Sequence, residues 1–450
     1  MSESNTPESE VPENSPVEQD SIPKAPAPEA ETIRRGIRPR TAKRMAIMAV
    51  ILLVFVYGGY WFIGLKGDIQ LDSNTSSMIA AMNLQEQGSQ AVVIDPQGKV
   101  TFSSGYVVGK SDRDLAWDPK GNRLFFISDR KDDSFHIYRW DPQRDKIDQK
   151  SVDKAGRSGL VFDVQDTGKG ELEGLVLVRG TVQQFTPKTA KSMQVMPPPK
   201  KVDGGPENGS ASTFDLVYKR YGVSFKSARW FGNRRYIAAV MRREDKGESL
   251  IIQDSQPNEK GEARPPQLLL VAEKFNLAVD PKTGSLVFTV TDVLPILGND
   301  GKPVTDPAGN VPKFGFSHAM FELEMTGDTF KMQPLGASPS KDLCFVNPIV
   351  SPDGTSLMFL VGKYQGEGNV EIQSLASCPL AVGGIRSATP IAPGNVSDQS
   401  FSPDGRKIAY VKTEGGHQAI FVAASDGSGA KNLTGAAGDF ASPIFSPQFK

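Results

Sequence analysis

The sequence predicts an all-β protein: a six- to seven-bladed β-propeller preceded by a disordered tail and a single transmembrane helix. Two observations predict this fold class. A Ser-Pro-Asp-Gly turn followed by branched and aromatic residues occurs twice, as VSPDGTSLMF at 350–359 and FSPDGRKIAY at 401–410. A long uncharged apolar stretch, residues 45–65, directly follows a basic segment.

The first 44 residues are predicted to form a disordered cytoplasmic tail, acidic and proline-rich at first and basic at its end. Residues 1–32 hold almost no apolar side chain, so they bury too little surface to offset their chain entropy. Arginine and lysine then dominate residues 34–44.

Residues 45–65 are predicted to form a transmembrane helix, because 21 uncharged residues span a hydrocarbon core about 30 Å thick. A cleaved signal peptide is the alternative. It usually has a shorter apolar stretch and a small-residue cleavage site, whereas this stretch ends in aromatic residues typical of a membrane interface, Tyr57, Tyr60, Trp61 and Phe62. The basic flank predicts a cytoplasmic N terminus and places everything after Leu65 outside the cytoplasm.

Residues 66–89 are predicted to be a spacer with a short helix at Ser77 to Gln87, and residues 90–450 the propeller. Within the propeller an apolar stretch, a Pro/Asp/Gly turn and a β-rich run recur. The copies begin at Leu115, Leu160, Ala228, Leu277, Pro348 and Gln399, with a partial copy at Ser442. Such a period, in the tens of residues, indicates a repeat architecture.

The recurrent turn has a physical basis in its residue types. Proline presets φ, aspartate caps the turn with its side chain, and glycine accepts the positive φ that reverses the strand. The last complete repeat divides into four strands, at about 399–402, 406–412, 418–424 and 430–434. Four antiparallel strands per repeat predict a propeller blade.

The two ends of the repeat region are expected to share one blade. SPIFSP at 442–447 is typical of an innermost strand without partners, and AVVIDPQGKVTFSSG at 91–105 is typical of outer strands without an inner one. With six other repeats the shared blade makes seven. If the divergent repeat at Leu160 is not a blade, the number is six.

The phrases FSPDGRKIAY, VSPDGTSLMF and IFVAASDGSGAKNLT resemble the TolB-type propeller repeat of bacterial envelope proteins. Similar repeats occur in the noncatalytic propellers of prolyl oligopeptidase-type peptidases. The match is specific over about residues 345–450 and weaker from 90 to 345. The resemblance implies a scaffold whose loops bind protein partners in the envelope. TolB has a cleaved signal and an N-terminal α/β domain, so a membrane-anchored relative is expected here, not TolB itself.

Together these features predict a single-pass protein of the bacterial inner membrane with a periplasmic propeller, acting as a protein-protein interaction scaffold in an envelope assembly. The predicted partners are envelope proteins and the membrane, through Met45 to Leu65. Acidic and basic side chains number 52 and 51, so no nucleic-acid partner is expected. Two alternatives stay open: a ligand-sensing propeller that signals across the membrane, and a propeller enzyme with a site in the central channel.

No catalytic residues, metal site or cofactor are predicted. A propeller-bearing peptidase needs a Gly-x-Ser-x-Gly elbow, and GFSHA at 315–319 has Ala319 where the second glycine belongs. His136, His318 and His417 lie in different repeats without metal-ligand spacing, so each is expected to be a satisfied or exposed histidine.

Partner binding is expected where the second-to-third-strand loops and the connections entering each blade share one face, because rigid sheets carry variable loops. The alternative is that the charges on this face only solvate the rim. The candidate residues are Arg130, Lys131, Arg242, Arg243, Lys363 and Tyr364.

The two cysteines, Cys344 and Cys378, are expected to stay unpaired. Cys344 precedes an innermost strand, whereas Cys378 follows a third strand and belongs to the opposite face. A disulfide needs Cα atoms within about 7 Å.

Overall fold

The computed structural model divides the chain into two compact units, Met1–Gln70 and Leu71–Lys450. The described residues all belong to the second unit: 78–131, 135–150, 163–166, 172–178, 181–186, 191–196, 224–242, 247–256, 259, 264, 266–296, 303, 316–326, 329–435 and 438–447. The predicted tail, the predicted transmembrane segment and Arg243 lie outside them.

The described elements are almost entirely β-strands. In chain order they are β1 (Ile79–Gln85), β2 (Gly88–Ile94), β3 (Val100–Ser103), β4 (Asp112–Trp117), β5 (Leu124–Ser128), β6 (His136–Asp141), β7 (Lys146–Gln149), β8 (Asp163–Asp166), β9 (Leu172–Val178), β10 (Thr181–Thr186), β11 (Lys191–Met196), β12 (Ser224–Phe231), β13 (Tyr236–Arg242), β14 (Glu248–Asp254), β15 (Gln267–Val279), β16 (Leu286–Val293), β17 (His318–Thr326), β18 (Thr329–Ala337), β19 (Leu343–Val350), β20 (Ser356–Gly366), β21 (Asn369–Pro379), β22 (Thr389–Pro393), β23 (Val396–Phe401), β24 (Lys407–Glu414), β25 (His417–Ala424), β26 (Lys431–Asn432) and β27 (Asp439–Phe445). A short 3-10 helix spans Gly384–Ser387.

These strands form seven antiparallel blades. Five sheets have four strands each, and a sixth has seven, β12 to β18 in order. In that sheet the 13-residue β15 belongs to two blades. Its first half pairs with β14 and its second half with β16. The divergent repeat at Leu160 contributes a blade of its own, β8 to β11, so the upper of the two predicted blade numbers is confirmed.

The first strands of the blades form a closed cycle. β4, β8, β12, β15, β19, β23 and β27 contact one another in that order, and β27 contacts β4. This is the arrangement of a propeller, in which the innermost strands surround a central channel. The hydrophobic core lies between neighbouring blades; for example, Met358 and Leu375 of one blade pack with Ile408 and Phe421 of the next.

The shared closing blade is confirmed. Its strand order is β27-β1-β2-β3, so the C-terminal strand pairs with the first strand of the propeller. The short helix expected at Ser77 to Gln87 is wrong, because β1 occupies this stretch. Ile79, Ala80 and Ala81 are fully buried between β2 and β27. A short, continuously buried run has no periodicity that separates a strand from a helix.

The Ser-Pro-Asp-Gly turns owe their shape to side-chain hydrogen bonds. Ser402 Oγ donates to Asp404 Oδ1 over 2.6 Å and accepts the Lys407 N–H over 2.8 Å. Gly405 follows with a φ of 70°. In a divergent copy Asp118 takes the place of the serine, and its carboxylate accepts the Asn122 N–H over 2.6 Å. In both versions, therefore, a side-chain oxygen at the first turn position accepts a main-chain N–H from the end of the turn.

The predicted localisation in the bacterial inner membrane is contradicted. Over the parts of residues 78–447 that the structure describes, no helix is long and apolar enough to cross a membrane. A spanning helix needs about 20 apolar residues, and the elements found are strands of at most 13 residues. Residues 45–65 lie outside the described residues. This finding also contradicts the predicted single-pass topology with a periplasmic propeller.

Candidate functional site in the central channel

The channel wall carries a repeated backbone irregularity. On four first strands the chain adopts a left-handed conformation at a residue other than glycine, with φ of 49° to 53°. At each position a β-bulge interrupts the pairing with the second strand. These residues are Asp114, Asn347, Asp398 and Ser442. Left-handed backbone at such residues is costly and concentrates at functional sites, so the bulges mark the channel as the candidate site.

A cavity of about 350 Å³ lies in this channel between β12, β15, β19 and β23. Its volume falls in the range of about 300 to 1,000 Å³ that ligand pockets occupy. Polar and apolar side chains share its wall. The hydrogen-bonding and charged ones are Lys226, Ser227, Arg229, Asn276, Asn347, Asp398 and Gln399.

Gln399 lines this cavity and carries a buried hydrogen-bond acceptor. The residue is 8% exposed, and its Nε2 donates to the main-chain oxygen of Asn347. Its Oε1 has no hydrogen-bond partner among the residues that the structure describes. A buried acceptor without a donor costs about 1 to 3 kcal/mol. Beside it, Asp398 Oδ2 accepts the Ser442 N–H of the next blade over 3.0 Å.

The basic side of the cavity is fixed by an ion pair. Lys226 Nζ lies 2.8 Å from Glu248 Oε1, and the other Glu248 oxygen accepts the Phe275 N–H over 2.8 Å. Glu248 is buried. This pair therefore joins β12, β14 and β15 and holds a lysine at the cavity wall.

Asp114 adds a group to the channel that titrates near neutrality. Burial raises the pKa of its carboxyl group to about 6, against the opposing effect of the positive charges of Arg113 and Arg229. Since Arg229 lines the cavity, the charge balance of the channel changes between pH 5 and 7.

Two of the predicted partner-binding residues, Arg130 and Tyr364, have contacts within the protein, and their role in partner binding stays a prediction. Arg130 is 17% exposed, forms an ion pair with Asp112 at 2.6 Å and donates to the Ser104 main-chain oxygen over 2.6 Å. The Tyr364 hydroxyl donates to a Glu273 carboxylate on the neighbouring blade. Burial raises the pKa of Tyr364, and the hydrogen bond to Glu273 and the charge of that carboxylate raise it further.

Three other predicted residues are exposed on one face. Lys131 follows the second strand β5, Arg242 ends β13, and Lys363 lies near the end of β20. Antiparallel pairing puts these strand ends on the same face as the connections that enter the blades. A role for these residues in binding stays a proposal.

The histidines that can be assigned match the expectation of satisfied or exposed side chains. His318 is buried, its Nδ1 accepts the Asp292 N–H over 3.2 Å, and its Nε2 lies 2.7 Å from the Lys341 main-chain oxygen. His417 is exposed. Within the described ranges, no three His, Cys, Asp or Glu side chains are arranged to hold a metal ion.

The channel residues were missed by sequence reasoning, although a signal for them existed. Each of the four bulge residues lies four positions before the first residue of a turn, as Asp398 precedes Ser402 and Asn347 precedes Ser351. Aligning the repeats on their turns would have shown Asp, Asn or Ser at this position in several copies. Nothing in one repeat alone indicates the left-handed conformation.

No protein-family model and no curated protein matches this sequence. Solved structures match at low identity. TolB from Acinetobacter baumannii is 14% identical, with 83% of this chain and 67% of that chain covered and a TM-score of 0.46.

An oligogalacturonate lyase solved in complex with manganese is 10% identical, with 79% of this chain and 84% of that chain covered and a TM-score of 0.47. A puromycin-hydrolysing peptidase of Mycobacterium tuberculosis is 11% identical, with 80% and 54% covered and a TM-score of 0.41. This chain spans about half the length of that peptidase. The propeller assignment therefore rests on the strand order and the closed cycle of blades, and these matches assign no activity.

Proposed function

We propose that this propeller is a binding protein that takes an extended segment of a partner protein into its central channel. The observation that carries the proposal is the buried Gln399 Oε1, an acceptor without a donor at the wall of the cavity. An extended main chain offers the N–H groups that this oxygen lacks. Its carbonyl or carboxylate oxygens complement Lys226 and Arg229 on the opposite side.

The exposed face supports the same function. Lys131, Arg242 and Lys363 surround the connections that enter the blades and attract an acidic segment before it reaches the channel. The proposal of an envelope protein as the partner is supported by the repeat resemblance alone. The expectation that the protein is not an enzyme likewise stays a prediction.

The test is peptide selection against the full chain, followed by affinity measurement with channel variants. We expect Gln399→Leu to weaken binding of the selected peptides about tenfold, because about one buried hydrogen bond is lost. The control is Gln97→Leu, an exposed glutamine outside the channel.

The proposal fails if the selected peptides bind wild type and Gln399→Leu equally. It also fails if no peptide is selected above the background of an unrelated propeller. Thermal unfolding of each variant separates a lost contact from a lost fold.

A further inference from the structure

The outer edges of the blades differ in how they are protected. An edge strand exposes unpaired N–H and C=O groups, and charged residues or proline discourage further pairing. Five outer strands hold a lysine or a proline: β7, β11, β18, β22 and β26. The outer strand of the closing blade, β3, has the sequence VTFS and holds neither.

Among the described strands, β3 pairs only with β2. Its other side therefore carries main-chain groups that no described strand pairs with. The Ser104 N–H donates to the Ala91 oxygen over 2.9 Å, so the Ser103 C=O, on the opposite side of that peptide group, points away from β2. In a strand the N–H and C=O of one residue point to the same side. Ser103 therefore offers one donor and one acceptor to an added strand.

An exposed apolar surface adjoins this edge. Of six exposed large hydrophobic side chains in the described parts of the chain, four belong to residues 100–108. They are Val100, Tyr106, Val107 and Val108. Clustered exposed apolar side chains mark interaction surfaces, whereas scattered ones do not.

The loop that carries three of these side chains, residues 104–111, is held in place by its neighbours. The Gly109 N–H donates to the Gln87 oxygen over 2.8 Å, and the Ser111 N–H donates to Asp129 over 2.7 Å. The bond from Arg130 to the Ser104 oxygen adds a third attachment. A fixed loop loses little conformational entropy on binding.

The positive charge of this surface favours an acidic partner segment over a second copy of the same edge. The segment from Lys99 to Lys110 ends in lysines and contains no acidic residue. Asp112, the nearest acidic residue after it, is 3% exposed and paired with Arg130. A second copy of this edge would bring lysines towards lysines, whereas a segment with acidic ends is complementary.

We propose that β3 and the 104–111 loop form a strand-addition site for an extended apolar segment of a partner protein, with acidic residues at both ends of that segment. The main chain of the segment pairs with Ser103. Its apolar side chains cover Val100, Tyr106 and Val108. This surface lies at the outer edge of a blade and is separate from the channel.

The test uses the full chain and two labelled synthetic peptides with the same alternating Val-Thr centre, one flanked by glutamates and the other by lysines. We expect the glutamate-flanked peptide to bind about tenfold more tightly in fluorescence anisotropy at low salt. We expect the Ser103→Pro variant, which lacks the outward N–H, to lose about tenfold in affinity. Ser103→Ala keeps that N–H and is the matched control.

Two further variants test the apolar contact. Val108→Ser is expected to weaken binding several-fold, whereas Val382→Ser changes an equally exposed valine elsewhere and is expected to have no effect. If Ser103→Pro does not fold, amide hydrogen exchange of the wild-type protein tests whether the peptide binds at β3. Slower exchange at residues 100–104 on peptide addition supports the site, and unchanged exchange overturns it.

Equal affinity of Ser103→Pro and Ser103→Ala for the peptide also overturns the proposal. A second outcome would overturn it as well. If sedimentation shows that wild type is a dimer and that Ser103→Pro is a monomer, the occupant of the site is a second copy of this chain. Gln399→Leu is expected to leave this peptide's binding unchanged, so failure of the channel site and failure of this site are distinguishable.

Discussion

Asp114 combines a left-handed φ of 53° with a half-buried carboxyl group in the channel wall. Its folded-state pKa of about 6 lies above the ordinary 3.8, chiefly because of burial. The protonated form is therefore the one that the fold favours. The stability that it contributes is fully present below pH 3.8 and is lost as the pH rises through about 6.

Replacing Asp114 with Asn is expected to stabilise the protein at pH 7 and to have little effect at pH 4. We expect a gain of about 1 to 2 kcal/mol. Two pKa units correspond to nearly 3 kcal/mol, a figure that already includes the opposing charges of Arg113 and Arg229, and solvent screening at this partly exposed residue lowers it. Urea unfolding at intervals between pH 4 and 7 measures this. Stability curves that run parallel for wild type and Asp114→Asn would show that Asp114 does not titrate in this range.

At the scale of the element, the Ser-Pro-Asp-Gly turn shows how different residues build the same structure. Ser402 is 2% exposed, and its hydroxyl contacts both Asp404 and the Lys407 N–H. In the copy at Asp118 the residues are Asp-Pro-Lys-Gly, and the aspartate itself caps the turn. We therefore expect that the serine version can be converted into the aspartate version only by changing the first and third turn residues together.

We expect Ser402→Ala to lower the free energy of unfolding by about 1 to 2 kcal/mol, because the part-buried hydrogen bond from the Lys407 N–H loses its acceptor. Ser402→Asp alone places a second carboxylate beside Asp404. The double variant Ser402→Asp, Asp404→Lys recreates the Asp118 version and is expected to restore most of the loss. Urea denaturation of the three variants measures this, and a double variant no better than Ser402→Ala would refute the equivalence of the two turns.

Sequence reasoning succeeded for the local turns and for the shared closing blade, whose partial repeats stand at the two ends of the repeat region, and it failed for individual contacts between distant residues. The turn at Ser402 and the four strands around it could be predicted, because proline, aspartate and glycine act on their own backbone. The contacts of Arg130 could not be predicted, because its partners, Asp112 and the Ser104 oxygen, lie 18 and 26 positions away. β1 was missed because its burial comes from β27, at the other end of the described chain.

At the scale of the whole molecule, the ring closes through β27. This strand pairs with β1 and also contacts β4 and β23 in the neighbouring blades. Its aromatic residues Phe440 and Phe445 are buried. One strand of seven residues therefore connects three blades.

Ending the chain after residue 438 is expected to abolish cooperative folding. Loss of two buried phenylalanines costs about 6 to 10 kcal/mol, comparable with the whole stability of about 5 to 15 kcal/mol of a typical domain. The exposed edge of β1 then favours aggregation. Urea unfolding and size-exclusion chromatography measure this, with a chain ending after Pro447 as the control, since it retains β27. A synthetic peptide of residues 438–450 should restore a monomeric, cooperatively unfolding species. If the shortened chain instead unfolds at the same urea concentration as the control, β27 does not hold the ring closed.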